Sequence, residues 1–120
     1  MFYVTNSNAN INITNTELKY GSNILLKLEK NNITDTGAIV TFTATDEKLI
    51  GNVELDEYSQ IRLNLNNSTY EGQMNKDNIS KNVDVTFDYH SSWILTGDSY
   101  VNTLTVTKKD LKNVRKYIKS

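Results

Sequence analysis

The sequence contains no cysteine and no proline, and it has five glycines, one histidine and one tryptophan in 120 residues. Lack of cysteine removes any disulfide framework and any thiolate zinc or iron–sulfur site. Lack of proline leaves every backbone N–H in place, which suits a fold that commits most amides to ladder hydrogen bonds. No apolar run approaches the roughly 18 consecutive residues of a membrane helix, so no spanning helix is expected. A charge excess is missing too. Thirteen basic residues against fourteen acidic ones give a net charge of -1, which argues against a dedicated nucleic-acid binder. What remains is one domain's length with 38% hydrophobic residues, enough for a modest core. Asn and Thr are abundant and Ala is scarce, a balance that favours strands and turns over helices.

The two ends read differently. The opening MFYVTNSNANINITN shows no basic leader, no apolar stretch of signal-peptide length and no small-residue cleavage site. It enters an extended pattern at Phe2 and Val4 at once. Two readings of the start stay open: a cytoplasmic protein, or a piece of a larger exported one with Met1 added. Asn-x-Ser/Thr triplets begin at Asn12, Asn32, Asn66, Asn67 and Asn78, which composition alone supplies in so Asn- and Thr-rich a chain. From Thr107 the chain runs TKKDLKNVRKYIKS, with six of the thirteen basic residues in fourteen positions. Leu111, Val114 and Ile118 fall on one helical face. Thr107 and Asp110 resemble a capping box, and late basic residues suit a helix C-terminus. The pattern predicts a short basic amphipathic helix over 107–120 folded over the end of the domain; three apolar anchors are too few for a membrane helix.

Between the ends the chain repeats itself. Segments starting at Val40, Ile61, Val83 and Leu104 align at separations of 21, 22 and 21 residues. Ile11 begins an earlier copy that carries about eight extra residues, placed in the polar stretch EKNNITDTG at 29–37. Each copy alternates apolar and polar residues, as at Val40, Phe42 and Ala44, or Ile61, Leu63 and Leu65, or Val83, Val85 and Phe87. That is the signature of a half-buried strand. A second apolar position and a glycine follow: Leu49 and Gly51, Tyr70 and Gly72, Leu95 and Gly97. The third copy has an extra residue before Trp93, which leaves its register open by one. A repeat this short cannot bury its own apolar face and must stack on its neighbours. Glycine and Asn then serve the corners, where left-handed backbone is needed. The expected fold is a right-handed parallel β-helix of about five coils over 1–106, with the short helix or tail over 107–120. An immunoglobulin-like sandwich also uses short strands, but it predicts no such self-alignment, and the chain has no Asn-Gly or Asp-Gly hairpin signal.

Between Ile61 and Val101, the stretches LNNSTYEGQMNKDN and VDVTFDYHSSWILTGDSYV resemble the last coils of large bacterial cell-surface proteins. NVELDEYSQIRLNL and FYVTNSNANINITN are similar to the same pattern, and SSWILTGDSYV at 91–101 is its most specific element. The family is the right-handed, pectate-lyase-like β-helix group labelled adhesins or carbohydrate-binding-domain proteins. The likeness covers about residues 2–104 and implies a fold and an extracellular or cell-surface location. It carries no catalytic residues across.

Candidate sites follow from the residues. Trp93 stands near Tyr89, His90, Tyr70 and Tyr100. Aromatic rings along one face can stack on sugars, so Trp93, Tyr89 and Tyr100 are the carbohydrate-binding candidates. The competing expectation is that Trp93 and Tyr70 pack in the core or at a corner. His90 is the lone histidine and lies in the polar turn YHSS, which supports neither a triad nor a metal site. Ser91 and Ser92 lack a nucleophile elbow. Asp56 and Asp77, five residues past their glycines, would sit on adjacent coils about 5 Å apart, close enough to share a cation or raise one pKa. No basic partner column accompanies them. Thr41, Thr43 and Thr45 hint at a threonine array, which Arg62, Asn64 and Asn66 break in the next coil. The expected function is a structural or adhesive surface module, with no catalysis, cofactor or metal, whose partners are glycans or other cell-surface ligands. The alternative is a fragment of a polysaccharide-active β-helix enzyme. An open coil at Phe2 predicts end-to-end self-association or a missing N-terminal cap.

Overall fold

The computed structural model describes residues 2–5, 7–16, 18, 23–30, 36–80 and 82–106. Eleven strands run through them: β1 Phe2–Thr5, β2 Asn8–Thr14, β3 Ile24–Glu29, β4 Ile39–Thr45, β5 Lys48–Ile50, β6 Asn52–Leu55, β7 Gln60–Asn66, β8 Thr69–Gly72, β9 Val83–Phe87, β10 Ser92–Leu95 and β11 Thr103–Val106. They form three parallel sheets. Face 1 has the order β1-β3-β6, face 2 β11-β9-β7-β4-β2, and face 3 β10-β8-β5. The chain visits the faces in rotation, so each sheet is built from successive coils. This is an all-β parallel solenoid. About four turns are present where five coils are expected: face 2 holds five rungs, and faces 1 and 3 hold three strands each. The helix expected over 107–120 lies outside the described residues. Among the described residues no helix is long and apolar enough to cross a membrane.

Alternation explains the strands. In β4 every second residue (Val40, Phe42, Ala44) is buried, and the pattern repeats in β7 and β9. Parallel register then stacks like on like. Ala9, Val40, Ile61 and Val83 form one inward ladder, and Ile11, Phe42, Leu63, Val85 and Leu104 the next. Face 1 contributes Leu26 beside Val53, and face 3 contributes Leu49, Tyr70 and Trp93 in one row. Each fully buried side chain of this size contributes roughly 1.5–3 kcal/mol of transfer free energy. No single coil could bury these residues alone.

The central copies align as expected, since Val40 pairs with Ile61 and Ile61 with Val83. The outer copies are shifted by two residues. Ile11 pairs with Phe42 rather than Val40, and Leu104 with Val85 rather than Val83. A two-residue slip preserves which side chains face inward, so hydrophobic pattern alone does not resolve it. The early insertion is larger and divided. Ala9 to Val40 spans 31 residues where Val40 to Ile61 spans 21. Six of the ten extra residues fall between Leu28 and Ile39, and four between Ile13 and Leu26.

Gly51 and Gly72 share a corner column, but Gly97 does not, because Leu95 pairs with Gly72. The corner before β10 is longer by one residue, where three would be needed to bring Gly97 into the column. Phe87 to Ser92 takes five steps where Leu65 to Thr69 takes four. In the column itself the glycines are required. Gly51 has φ of 128°, and a Cβ on Gly72 would lie 2.2 Å from the Gly51 carbonyl oxygen.

Candidate functional site

The three aromatic candidates do not converge. Trp93 lies in β10 opposite Tyr70 and is 2% exposed. Its indole N–H donates to the Gly72 carbonyl at 3.0 Å, and its ring packs at 5.6 Å and 41° against Tyr70. Trp93 therefore presents no ring face to a ligand. Tyr70 is fully buried, donates its hydroxyl to the Gln73 carbonyl at 2.9 Å, and has its phenol pKa driven far up by burial. Tyr89 sits at the turn between faces 2 and 3. It is 54% exposed, with its ring 4.0 Å from His90. Tyr100 is half-buried on the face 1 side, where its N–H reaches the Met74 carbonyl at 3.1 Å. One open ring remains of the three.

The corners reveal what the polar residues do. Asp56 Oδ1 accepts from the Tyr58 N–H at 3.0 Å and the Ser59 hydroxyl at 2.8 Å, while Oδ2 accepts from the Lys30 N–H of the preceding coil at 2.6 Å. Asp88 repeats this device. It accepts from the His90 N–H at 3.2 Å and the Ser91 hydroxyl at 2.7 Å, and both its oxygens reach the Asn67 N–H of the coil before. Partial burial pushes the Asp88 carboxyl up. The hydrogen bonds from Ser91, Asn67 and His90, with the His90 charge, outweigh burial and hold it below the usual carboxylate range.

Buried serines continue the same work between coils. Ser59 Oγ accepts from Ala38 N–H at 3.1 Å, Ser68 Oγ from Glu47 N–H at 3.0 Å, and Ser99 Oγ from Met74 N–H at 2.9 Å. Asn15, Asp46 and Asn67 occupy consecutive rungs of one corner with φ between 47° and 55°, where Asn and Asp tolerate the left-handed conformation.

Sequence reasoning missed this clamp. The signal was available in DEYS at 56–59 and DYHS at 88–91, which share Asp-x-x-Ser spacing.

Among the described residues, two surfaces bear on the sequence candidates. The outer side of face 2 is polar. Asn10, Thr41, Arg62, Asp84 and Thr103 form one outward row, and Asn12, Thr43, Asn64, Thr86 and Thr105 a second. Within the second row Asn64 donates to the Thr43 hydroxyl at 3.3 Å. Parallel rungs repeat every 4.7–4.9 Å or so, which makes the rows a regular array of hydroxyls and amides. Thr41, Thr43 and Thr45 face Arg62, Asn64 and Asn66 across the rung, so the pure threonine array ends there.

The second surface is a groove of about 400 Å³ on face 1. Lys27, Glu29, Glu54, Asp77 and Lys76 line it with Asp56, above Leu28, Val53, Leu55 and Ile79. Asp56 and Asp77 thus do share a site. Asp56, however, spends both oxygens on the corner hydrogen bonds, which leaves little capacity for acid–base work. Among the described residues no three His, Cys, Asp or Glu side chains converge to hold a metal ion.

Comparison of the chain with protein-family models, with curated proteins and with solved structures gives no match.

Proposed function

We propose that the chain is a non-catalytic structural and adhesive module of a bacterial surface protein, related to the pectate-lyase-like β-helix adhesins, with glycans as its ligands. The observation that carries this reading is the outer side of face 2. Its two rows, through Thr41 and Arg62 and through Thr43 and Asn64, offer fixed donors and acceptors at a constant repeat. A polymer of hydroxyl-bearing units meets such a surface with many equivalent hydrogen bonds, each worth roughly 0.5–1.5 kcal/mol net. Tyr89 adds an exposed ring at the adjoining corner, suited to stacking on a sugar. The likeness of residues 2–104 to that family is what supports a surface location.

The shared lining by Asp56 and Asp77 favours the second reading, a fragment of a polysaccharide-active enzyme. One experiment separates the two. The protein is run through gels containing pectin, xylan or β-glucan, and the same polymers are assayed for new reducing ends or unsaturated products. The module predicts retardation without chain scission. Scission abolished by Asp77→Asn would establish the enzyme reading and end this one.

Self-association at the coil ends belongs to the same proposal. Among the described residues β2 and β11 each have one unpaired edge on face 2. Half-buried Ile11 and Ile13 lie at one end and Leu104 and Val106 at the other, so a second copy could continue the stack.

A further inference from the structure

Face 1 stops short in the fourth coil. Along β6 and just past its end, the N–H groups of Asn52 and Asp56 point back to the preceding coil and meet the Asn23 and Leu28 carbonyls at 2.7 and 3.2 Å. The alternate residues point forward. Val53 donates to the Gln73 carbonyl at 2.8 Å and accepts from the Asn75 N–H at 3.0 Å, its only rung with Met74. Leu55 points the same way two residues later, but the chain opposite it has gone. Asn75 turns with φ of 53°, and its own side chain holds the departing loop. Oδ1 accepts from the Ile79 and Ser80 N–H groups at 3.1 Å each, and Nδ2 donates to the Ser80 carbonyl at 2.9 Å. Among the described residues nothing pairs with the Leu55 N–H or C=O on this side. Leu55 is nevertheless 8% exposed, a setting in which backbone polar groups are nearly always paired. The face 1 groove is the space between this edge and the loop at 75–79.

Forward-pointing N–H and C=O groups on one residue are what an extended chain uses to add to a sheet. Charge specifies the chain further. Glu29, Glu54, Asp56 and Asp77 line the groove against Lys27 and Lys76, so carboxylates exceed amines by two. Ile79, 48% exposed, gives the opposite wall an apolar contact.

We propose that this groove docks an extended polypeptide segment carrying basic residues, which exchanges a pair of main-chain hydrogen bonds with Leu55 and supplies the strand missing from the fourth coil. The segment's alternate side chains point outward toward Glu54 and Asp77. This site is separate from the polar rows of face 2 and stands whether or not those rows bind glycans.

The test uses the whole 120-residue protein, labelled with nitrogen-15, and a blocked seven-residue peptide alternating valine and lysine. The expected result is saturable shifts of the Leu55, Lys76 and Ile79 amides and slower hydrogen exchange at Leu55. The same peptide N-methylated at its central residue should not bind, and glutamate in place of lysine should abolish saturation. The double variant Glu54→Lys with Asp77→Lys, both at exposed or half-exposed positions, should weaken binding by roughly five- to tenfold. Shifts without protection at Leu55, affinity unchanged in the double variant, or a neutral oligosaccharide giving the same Leu55 response would overturn the proposal.

Discussion

Trp93 and Tyr89 are four residues apart and have opposite fates. Removing the buried Trp93 side chain leaves a cavity beside Tyr70 and strands the Gly72 carbonyl, so Trp93→Ala should cost about 3–5 kcal/mol in urea unfolding. Tyr89→Ala at the exposed turn should stay within about 0.5 kcal/mol. Near-equal losses would contradict this placement of the rings. Asp88 makes a pH-dependent prediction. Its pKa in the folded chain lies below the ordinary value, so its stabilising contribution is complete above the unfolded-state pKa and is lost as pH falls through the folded one. Asp88→Asn should therefore be less stable than the wild type at neutral pH, and thermal melts should show the gap closing below about pH 4. A gap that widens on acidification would mean the carboxylate is not held by these hydrogen bonds. At this scale alternation correctly identifies Phe42, Leu63 and Val85 as inward. It does not resolve Trp93, whose outward or inward fate depends on one added residue at the 88–91 corner. The role of Ser59, Ser68 and Ser99 is likewise hidden, because a small hydroxyl in a turn reads as solvent-facing until the next coil's N–H is placed against it.

The strands and corners obey a register that can be tested at two glycines. Gly72 lies under the Gly51 backbone, where a methyl group would lie 2.2 Å from a carbonyl oxygen that cannot move without parting the coils. Gly97 sits instead against the flexible end of the Gln73 side chain. Gly72→Ala should cost about 2 kcal/mol or more and Gly97→Ala less than about 1 kcal/mol. Equal costs would restore the column of three glycines that sequence alignment suggests. The central repeat, 40 to 61 to 83, is readable in sequence because strand and corner lengths there change by at most one residue. The outer repeats are not. An inward residue shifted by two is still inward, and the extra residues of the first full coil divide between two stretches, 13–26 and 28–39, that share no sequence mark. The groove on face 1 was equally out of reach, since it arises where Asn75 turns the fourth coil away from β6 after one rung. Asp56 and Asp77 can be placed together from spacing, but the capture of Asp56 by Lys30, Tyr58 and Ser59 depends on the corner geometry.

As a whole the molecule is a stack whose inner ladders hold it together and whose outer rows are free to repeat a contact. The proposed end-to-end stacking joins one copy to the next. Sedimentation velocity should show mass increasing with concentration, and Ile11→Lys or Leu104→Lys, each at a terminal rung, should restore the monomer. A concentration-independent monomer in the wild type would contradict it. Glycan binding by the outer rows of face 2 is read on a glycan array. The triple variant Thr43→Val, Asn64→Leu and Thr86→Val strips one outward row of its hydrogen-bonding groups while keeping residues that tolerate a strand. The wild type should bind repeating, unbranched glycans, and the folded triple variant should lose at least about tenfold in signal, with three or more hydrogen bonds removed. Full binding by the triple variant, or no glycan bound by the wild type, would contradict glycan binding by these rows.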